Sequence, residues 1–173
     1  MSRHNVFFGI LFFVVGAFFT FSSYAESDIP VFQFKTDAGE TITNESLQGK
    51  PTLLVLWASW CSVCQRELPK VKTIYDEKKE KGLQVLAIGV RDKKANITGY
   101  VEGHPEVFTF PVVHDQGDKA ATLFDIRGVP TFVLLNAKGE IAATHVGAGF
   151  QKDPAFMKLI DALSARQALS LNS

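Results

Sequence analysis

The sequence predicts an α/β domain with a central mixed β-sheet and helices on both faces. Strand-like and helix-like segments alternate from residue 31 onward, which is the order that builds layered α/β domains. Residues 52–57 are continuously apolar after the first, which is typical of a central strand covered by helices on both faces. With 173 residues, 46% of them hydrophobic, the chain is long enough for one well-packed core and short for two.

A β-hairpin should open the domain. Residues 31–35 alternate apolar and polar side chains, as a half-buried strand does. Residues 37–40 supply turn residues before a second short strand near Thr41 and Ile42. The central strand over residues 52–57 then follows.

A helix should come directly after the central strand. Cys64, Leu68, Val71 and Tyr75 recur at spacings of four, three and four, which places them on one apolar helical face. We expect this helix to run to about residue 81, where Gly82 ends it.

The remaining elements follow from the same periodicities. They are a buried strand over 83–90, a weak helix over 93–103, a short strand over 111–113, a short helix over 118–124, strands over 131–135 and 141–146 joined by a four-residue loop, and a closing amphipathic helix over 154–169.

The N-terminus differs in composition from the rest of the chain. A basic start precedes an uncharged apolar run over residues 6–21, which is shorter than the ~20 residues that a membrane-spanning helix needs. Ser23-Tyr24-Ala25 resembles a small-x-small cleavage site. We therefore expect residues 1–25 to be a signal peptide that exports a domain over residues 26–173. The alternative is an uncleaved membrane anchor.

The overall charge gives no sign of a nucleic-acid partner. The chain has 18 basic and 18 acidic residues, so its formal net charge is zero. No long-range field then draws the protein to nucleic acid or to an anionic membrane surface. Binding must depend on a local site.

The two cysteines are the candidate reactive groups. They lie three positions apart in Trp60-Cys61-Ser62-Val63-Cys64, a loop too small to stabilise the fold by restricting the unfolded chain. The first lies where a buried strand gives way to a helix, and the partial positive charge of a helix N-terminus favours a thiolate. We expect Cys61 to have a lowered pKa and to act as the nucleophile, with Cys64 as the resolving thiol.

Two segments resemble thioredoxins. The first is Trp57-Ala58-Ser59-Trp60-Cys61-Ser62-Val63-Cys64, with Pro69 downstream, and the second covers residues 126–131 and 139–148. The resemblance spans most of residues 31–169 and implies a thioredoxin-like fold and thiol–disulfide oxidoreductase activity. In that family the proline matched by Pro130 follows a cis peptide bond and faces the cysteines. Substrate contacts are thereby implied for Trp60, Val129 and Pro130.

Departures from ordinary thioredoxins indicate a subfamily. Val55 stands where thioredoxins carry a buried Asp, and Ala87 lies near the place of its Lys partner. The pattern Cys-x-x-Cys-x-x-Glu-x-Pro resembles that of the membrane-associated reductases of the TlpA, ResA and DsbE group. That group also carries a central insertion, which residues 92–118 match here. This resemblance implies that Glu67 has a role in proton transfer at Cys64.

The same resemblance implies a role outside the cytoplasmic membrane. A periplasmic reductase of client disulfides would need electrons from a membrane donor of the DsbD or CcdA type. Apocytochrome c and proteins with metal sites under assembly are the implied clients. No cofactor is expected. A periplasmic dithiol oxidase and a non-catalytic copper chaperone are the alternatives.

A metal site is not expected from the sequence. Zinc in proteins usually takes four ligands, and a lone Cys-x-x-Cys supplies two. The remaining candidate ligands, His104, His114 and His145, show no ligand spacing.

Overall fold

The computed structural model describes residues 31–36 and 39–171. The expected signal peptide and the first two residues of the expected hairpin turn, 37 and 38, lie outside this part of the chain. Among the helices that it describes, none is both long enough and apolar enough to cross a membrane.

The predicted helices and strands occur in the predicted order, and the sequence analysis missed α1 and the 3-10 helix before α5. The strands are β1 (Gln33–Lys35), β2 (Thr41–Thr43), β3 (Thr52–Trp57), β4 (Gln84–Gly89), β5 (Val112–His114), β6 (Thr131–Leu135) and β7 (Ile141–Val146). The helices are α1 (Asn44–Leu47), α2 (Ser62–Lys78), α3 (Lys94–Glu102), α4 (Lys119–Leu123) and α5 (Pro154–Leu171). Short 3-10 helices cover Lys79–Lys81 and Phe150–Lys152.

The central sheet is mixed, as predicted. Within the described residues its strand order is β5-β4-β3-β6-β7. β3 pairs in parallel with β4, and β4 with β5, whereas β6 is antiparallel to both β3 and β7. β1 and β2 form the predicted antiparallel hairpin, with Phe34 opposite Ile42. An antiparallel bridge from Thr36 to Val113 ties the hairpin to the β5 edge of the sheet.

Alternate side chains of β3 enter two separate cores. Leu53, Val55 and Trp57 pack in a cluster with residues of α2, α3 and α5. Leu54 and Leu56 pack on the opposite face in a cluster with residues of the hairpin, α1 and α4. Because successive strand residues point to opposite faces, a strand covered on both sides must be apolar throughout. The predicted helices on both faces are confirmed.

Helix α2 presents one buried face to the sheet and ends slightly earlier than predicted. Cys64, Leu68 and Val71 are buried on that face, and burying a leucine contributes about 1.5–3 kcal/mol. The α-helix stops at Lys78, and its last predicted turn is the 3-10 helix that precedes Gly82. Gly82 has a φ of 89°, a left-handed conformation that glycine adopts without strain and that ends the helix.

The central insertion forms α3, a loop and β5. Aromatic rings from this segment cover the end of β3. The ring centroid of Trp57 lies 5.5 Å from that of Tyr100 and 5.2 Å from that of Phe108. The insertion therefore supplies part of the core beneath the cysteines.

Helix α4 is one residue shorter than predicted at each end, and the acceptor for its first turn is Asp115. The carboxylate of Asp115, buried, accepts the N–H groups of Ala120 and Ala121 at 2.9 and 3.0 Å. These N–H groups belong to the first turn of the helix, where backbone donors have no acceptor within the helix. The predicted starting residue, Asp118, has a φ of 53° and lies outside the helix.

Candidate active site around the Cys61–Cys64 pair

Three loops meet at one edge of the sheet. The parallel strands β3 and β4 both end there, and β6 begins there because it runs antiparallel to β3. The loops are residues 58–61, 90–93 and 126–130. Direct contacts join them, which makes this edge the place where the chain assembles a site.

The cysteines lie at the start of α2, and Cys61 is slightly more exposed than Cys64. They form a disulfide with a Cα–Cα distance of 5.2 Å. Cys61 is the N-cap residue, and its Sγ accepts the backbone N–H of Cys64 at 3.1 Å. The residue Cys61 is 7% exposed, whereas Cys64 is 0% exposed. Both residues are buried, Cys61 slightly less completely, and the helix N-terminus would stabilise a thiolate at Cys61.

The cis-proline loop faces this sulfur. The peptide bond between Val129 and Pro130 is cis, as the resemblance implies. The carbonyl oxygen of Val129 lies 3.6 Å from Sγ of Cys61. Pro130 is buried, and its carbonyl oxygen accepts the N–H of Gly147 at 2.8 Å, which ties the loop to the end of β7.

Trp60 stands beside the cysteine with its ring turned outward. The residue is 62% exposed, which is uncommon for an aromatic side chain of this size. Its indole Nε1 donates to the carbonyl oxygen of Arg91 at 3.1 Å. The structure thus brings Trp60, Val129 and Pro130 to the same edge as the two cysteines.

Glu67 is a buried carboxylate on the turn of α2 after Cys64. It is 3% exposed, and both of its oxygens have partners. Oε1 pairs with Nζ of Lys70 at 2.5 Å, and Oε2 accepts the N–H of Gly149 at 3.1 Å. Residues three apart on a helix are neighbours, so Glu67 lies one turn from the buried thiol.

The thioredoxin-type acid–base pair has no counterpart here. Val55 and Ala87 are register partners on β3 and β4, and both are buried among apolar side chains. Of the described acidic residues, Glu67 and Asp115 are the buried ones. Asp115 caps α4, which leaves Glu67 as the buried acid on the cysteine helix.

Sequence reasoning missed Asp92, which joins the cysteine loop to the β4 end. Its Oδ2 accepts the N–H and the Oγ–H of Ser59 at 2.8 and 2.6 Å. Its Oδ1 accepts the N–H of Lys93 at 2.7 Å and an Nδ2–H of Asn96 at 2.9 Å. Burial would raise the pKa of Asp92, but these hydrogen bonds outweigh it and lower that pKa. The contact with Ser59 joins residues 33 apart in the sequence, so no local pattern pointed to Asp92.

The histidines are dispersed and bonded to different parts of the chain. Nδ1 of His104 lies 2.8 Å from the carbonyl oxygen of Tyr100, and Nδ1 of His145 lies 3.1 Å from Oδ2 of Asp153. Over residues 31–36 and 39–171, no three His, Cys, Asp or Glu side chains are grouped as metal ligands would be.

Comparison with known sequences identifies the family. The sequence model of the AhpC/TSA family matches residues 25–144. The chain is 33% identical over 123 residues to the thiol–disulfide oxidoreductase ResA of Halalkalibacterium halodurans, which covers 70% of this chain and 69% of that protein. It is 31% identical over 138 residues to the sporulation thiol–disulfide oxidoreductase A of Bacillus subtilis, with coverage of 76% and 82%.

Comparison with solved structures agrees. A protein from Chlorobium tepidum assigned as the thiol:disulfide interchange protein DsbE matches with a TM-score of 0.72 and 25% identity, over 80% of this chain and 96% of that one. StoA of Bacillus subtilis matches with a TM-score of 0.60 and 28% identity, over 77% and 96%. The chain therefore belongs to the AhpC/TSA family and is a thiol–disulfide oxidoreductase of the ResA, StoA and DsbE type, with Cys61 and Cys64 as its Cys-x-x-Cys pair.

Proposed function

We propose that this oxidoreductase works in the periplasm and reduces disulfides in client proteins. The exchange mechanism in this proposal is supported by the asymmetry of the cysteine pair, and the reductive direction by the similarity to ResA. The Cys61 sulfur caps the helix and its residue keeps a small exposed fraction of 7%, whereas Cys64 is 0% exposed. One sulfur can meet a client, and the other can act only on the sulfur beside it.

The first step joins client and enzyme. The Cys61 thiolate attacks one sulfur of the client disulfide, so that an S–S bond forms between Cys61 and the client and the client's other sulfur leaves as a thiolate. The N–H of Cys64, 3.1 Å from Sγ of Cys61, stabilises the attacking charge. The client thiolate takes a proton from water.

The second step releases the client. Cys64 loses its proton and attacks Sγ of Cys61, which breaks the bond to the client and forms the Cys61–Cys64 disulfide. The client's second sulfur leaves as a thiolate and takes a proton from water. The two electrons of the original dithiol now reside in the client's two thiols. In this proposal the buried carboxylate of Glu67 accepts the proton of Cys64.

Client docking would use the surface beside the nucleophile. Trp60 offers an exposed aromatic face, and Val129 lies within 3.6 Å of the reacting sulfur through its carbonyl oxygen. An extended client segment could pair with the main chain at Val129, which the cis bond to Pro130 orients. These contacts are the proposed substrate-binding role of the three residues.

After each reaction the Cys61–Cys64 disulfide must be reduced again, although the compartment is oxidising. A membrane protein with a redox dithiol, of the DsbD or CcdA type, would reduce the Cys61–Cys64 disulfide and become oxidised itself. Residues 1–25 would direct the domain over residues 26–173 to that compartment, as a cleaved signal or as an anchor to the inner membrane. Apocytochrome c and proteins under metal-site assembly are the proposed clients.

Trapping of mixed disulfides tests the assignment of the two cysteines. Cys64→Ser should accumulate a covalent complex with a disulfide-bonded client, visible on non-reducing gels, because the second step cannot occur. Cys61→Ser should accumulate none, since its remaining thiol is buried. The double variant serves as the blank. Equal trapping by the two single variants would overturn the assignment.

A further inference from the structure

The carboxylate of Asp92 joins the loop before Cys61 to the start of α3 through hydrogen bonds. We propose that Asp92 is a positioning residue for client proteins, which fixes Ser59 so that the adjacent Trp60 is held ready for docking. The inference rests on the proposed function, because it presumes that Trp60 meets the client.

The carboxylate of Asp92 is shared between two elements. One oxygen takes both donors of Ser59, and the other takes the N–H of Lys93 and the amide of Asn96 at the start of α3. The contact between Ser59 and Asp92 crosses 33 residues of sequence. The turn before the cysteine is thereby joined to α3 rather than held by its own strand alone.

Trp60 is held both through its main chain and through its side chain. Its main chain follows Ser59 directly, and its indole donates to the carbonyl oxygen of Arg91, the neighbour of Asp92. Arg91 is itself fixed, because its N–H donates to Asp118 at 2.9 Å and its guanidinium donates to the carbonyl oxygen of Ile126 at 2.5 Å. An exposed ring that is ordered before binding loses less conformational entropy when a partner docks.

The charge of Asp92 strengthens this arrangement. The carboxylate is ionised at neutral pH, since the hydrogen bonds from Ser59, Asn96 and Lys93 together overcome the effect of burial on its pKa. Hydrogen bonds to an ionised acceptor are roughly twice as strong as neutral ones. A neutral side chain at this position would hold Ser59 more weakly.

The reacting sulfur is held by different contacts. Cys61 meets the N–H of Cys64 and the carbonyl oxygen of Val129, neither of which involves Asp92. A small disulfide needs only this sulfur, whereas a protein client also needs the surface around Trp60. Loss of the carboxylate should therefore act more strongly on protein clients than on small disulfides.

The test compares two substrates for the pre-reduced full-length protein. Second-order rate constants are measured with disulfide-bonded insulin and with hydroxyethyl disulfide. For Asp92→Ala, the ratio of the insulin constant to the hydroxyethyl disulfide constant should fall roughly tenfold, the loss expected when charge-assisted hydrogen bonds are removed. The loss should lie in the half-saturating insulin concentration and not in the maximal rate. Asp92→Asn, which keeps one acceptor oxygen, should fall between wild type and Asp92→Ala.

Matched variants separate positioning from general damage. Asp76 lies further along α2, and its exposed carboxylate pairs with Lys72 and Lys79. Asp76→Ala should leave both rate constants unchanged. Ser59→Ala removes one donor to Asp92 and should lower the ratio less than Asp92→Ala does, which keeps the test informative if Asp92→Ala does not fold. In a Trp60→Ala background, Asp92→Ala should have little further effect.

Two results would overturn the inference. One is an unchanged substrate ratio in a folded Asp92→Ala protein, and the other is full additivity of the Asp92 and Trp60 substitutions. Failure of the proposed function would look different, because the wild-type Cys61–Cys64 couple would then have the reduction potential of an oxidant whatever the substrate ratio.

Discussion

Replacing Glu67 by glutamine removes the buried carboxylate that we propose accepts the proton of Cys64. Glutamine has nearly the same shape, and its side-chain oxygen can still accept the N–H of Gly149. The substitution therefore deletes a base and an ion pair while keeping the packing around them. Its predicted effect is on the second step of the reaction and not on the attack by Cys61.

The size of the effect follows from the contacts of Glu67. General bases contribute about 100-fold to 10,000-fold to a rate. Both oxygens of Glu67 already have partners, Lys70 and Gly149, so taking up a proton disturbs one of these contacts. We therefore expect the lower limit, about 100-fold slower closure of the Cys61–Cys64 disulfide. The stability cost should be about 1 kcal/mol or less, because the Lys70 side chain is 41% exposed and solvent screens the pair.

Rapid mixing of the reduced protein with hydroxyethyl disulfide measures this step. The first phase forms the mixed disulfide at Cys61, and the second closes the internal disulfide. Recording both across about pH 5 to 9 should show that Glu67→Gln slows the second phase and changes its pH profile. Glu77→Gln, an exposed acid on the same helix, is the control and should resemble wild type. A second phase with wild-type rate and pH profile in Glu67→Gln would refute the proton role.

Two further predictions concern stability. Phe132 is fully buried and stacked on Phe150 with centroids 4.3 Å apart, so Phe132→Ala should lower the unfolding free energy by about 3–5 kcal/mol in urea titrations. An unchanged urea midpoint would contradict this packing. Because the pKa of Asp92 lies below its usual 3.8 in the folded protein, its contribution to stability is present above that pH and is lost as pH falls through the folded value. Asp92→Asn should therefore lose stability less steeply with acid than wild type, and parallel acid curves would contradict this.

Much of the fold is predictable because its signals are local. The apolar run of β3 gave the strand its predicted bounds, and the spacing of Cys64, Leu68 and Val71 placed α2 and its buried face. The position of Cys61 between these two elements also predicted its place at the start of the helix. Local patterning was sufficient there because strand and helix periodicities differ clearly.

The less predictable parts depend on contacts between distant residues. The bounds of α4 are set by Asp115, which lies before the helix and whose carboxylate caps it. Glu67 meets Gly149 across 82 residues of sequence, so its burial and its partners could not be inferred from helical spacing. The contact of Asp92 with Ser59 is of the same kind. Such contacts arise from the way the sheet brings loop ends together, which single-sequence periodicity does not report.

The reduction potential of the Cys61–Cys64 couple tests the central claim, that the protein reduces client disulfides. It is measured on the purified protein by equilibrium titration against dithiothreitol or glutathione. The account predicts a value near the ~−270 mV of thioredoxin, at which the dithiol can give its electrons to clients. A value near the ~−120 mV of DsbA would mean that the protein takes electrons from client dithiols, and the proposed direction would be wrong.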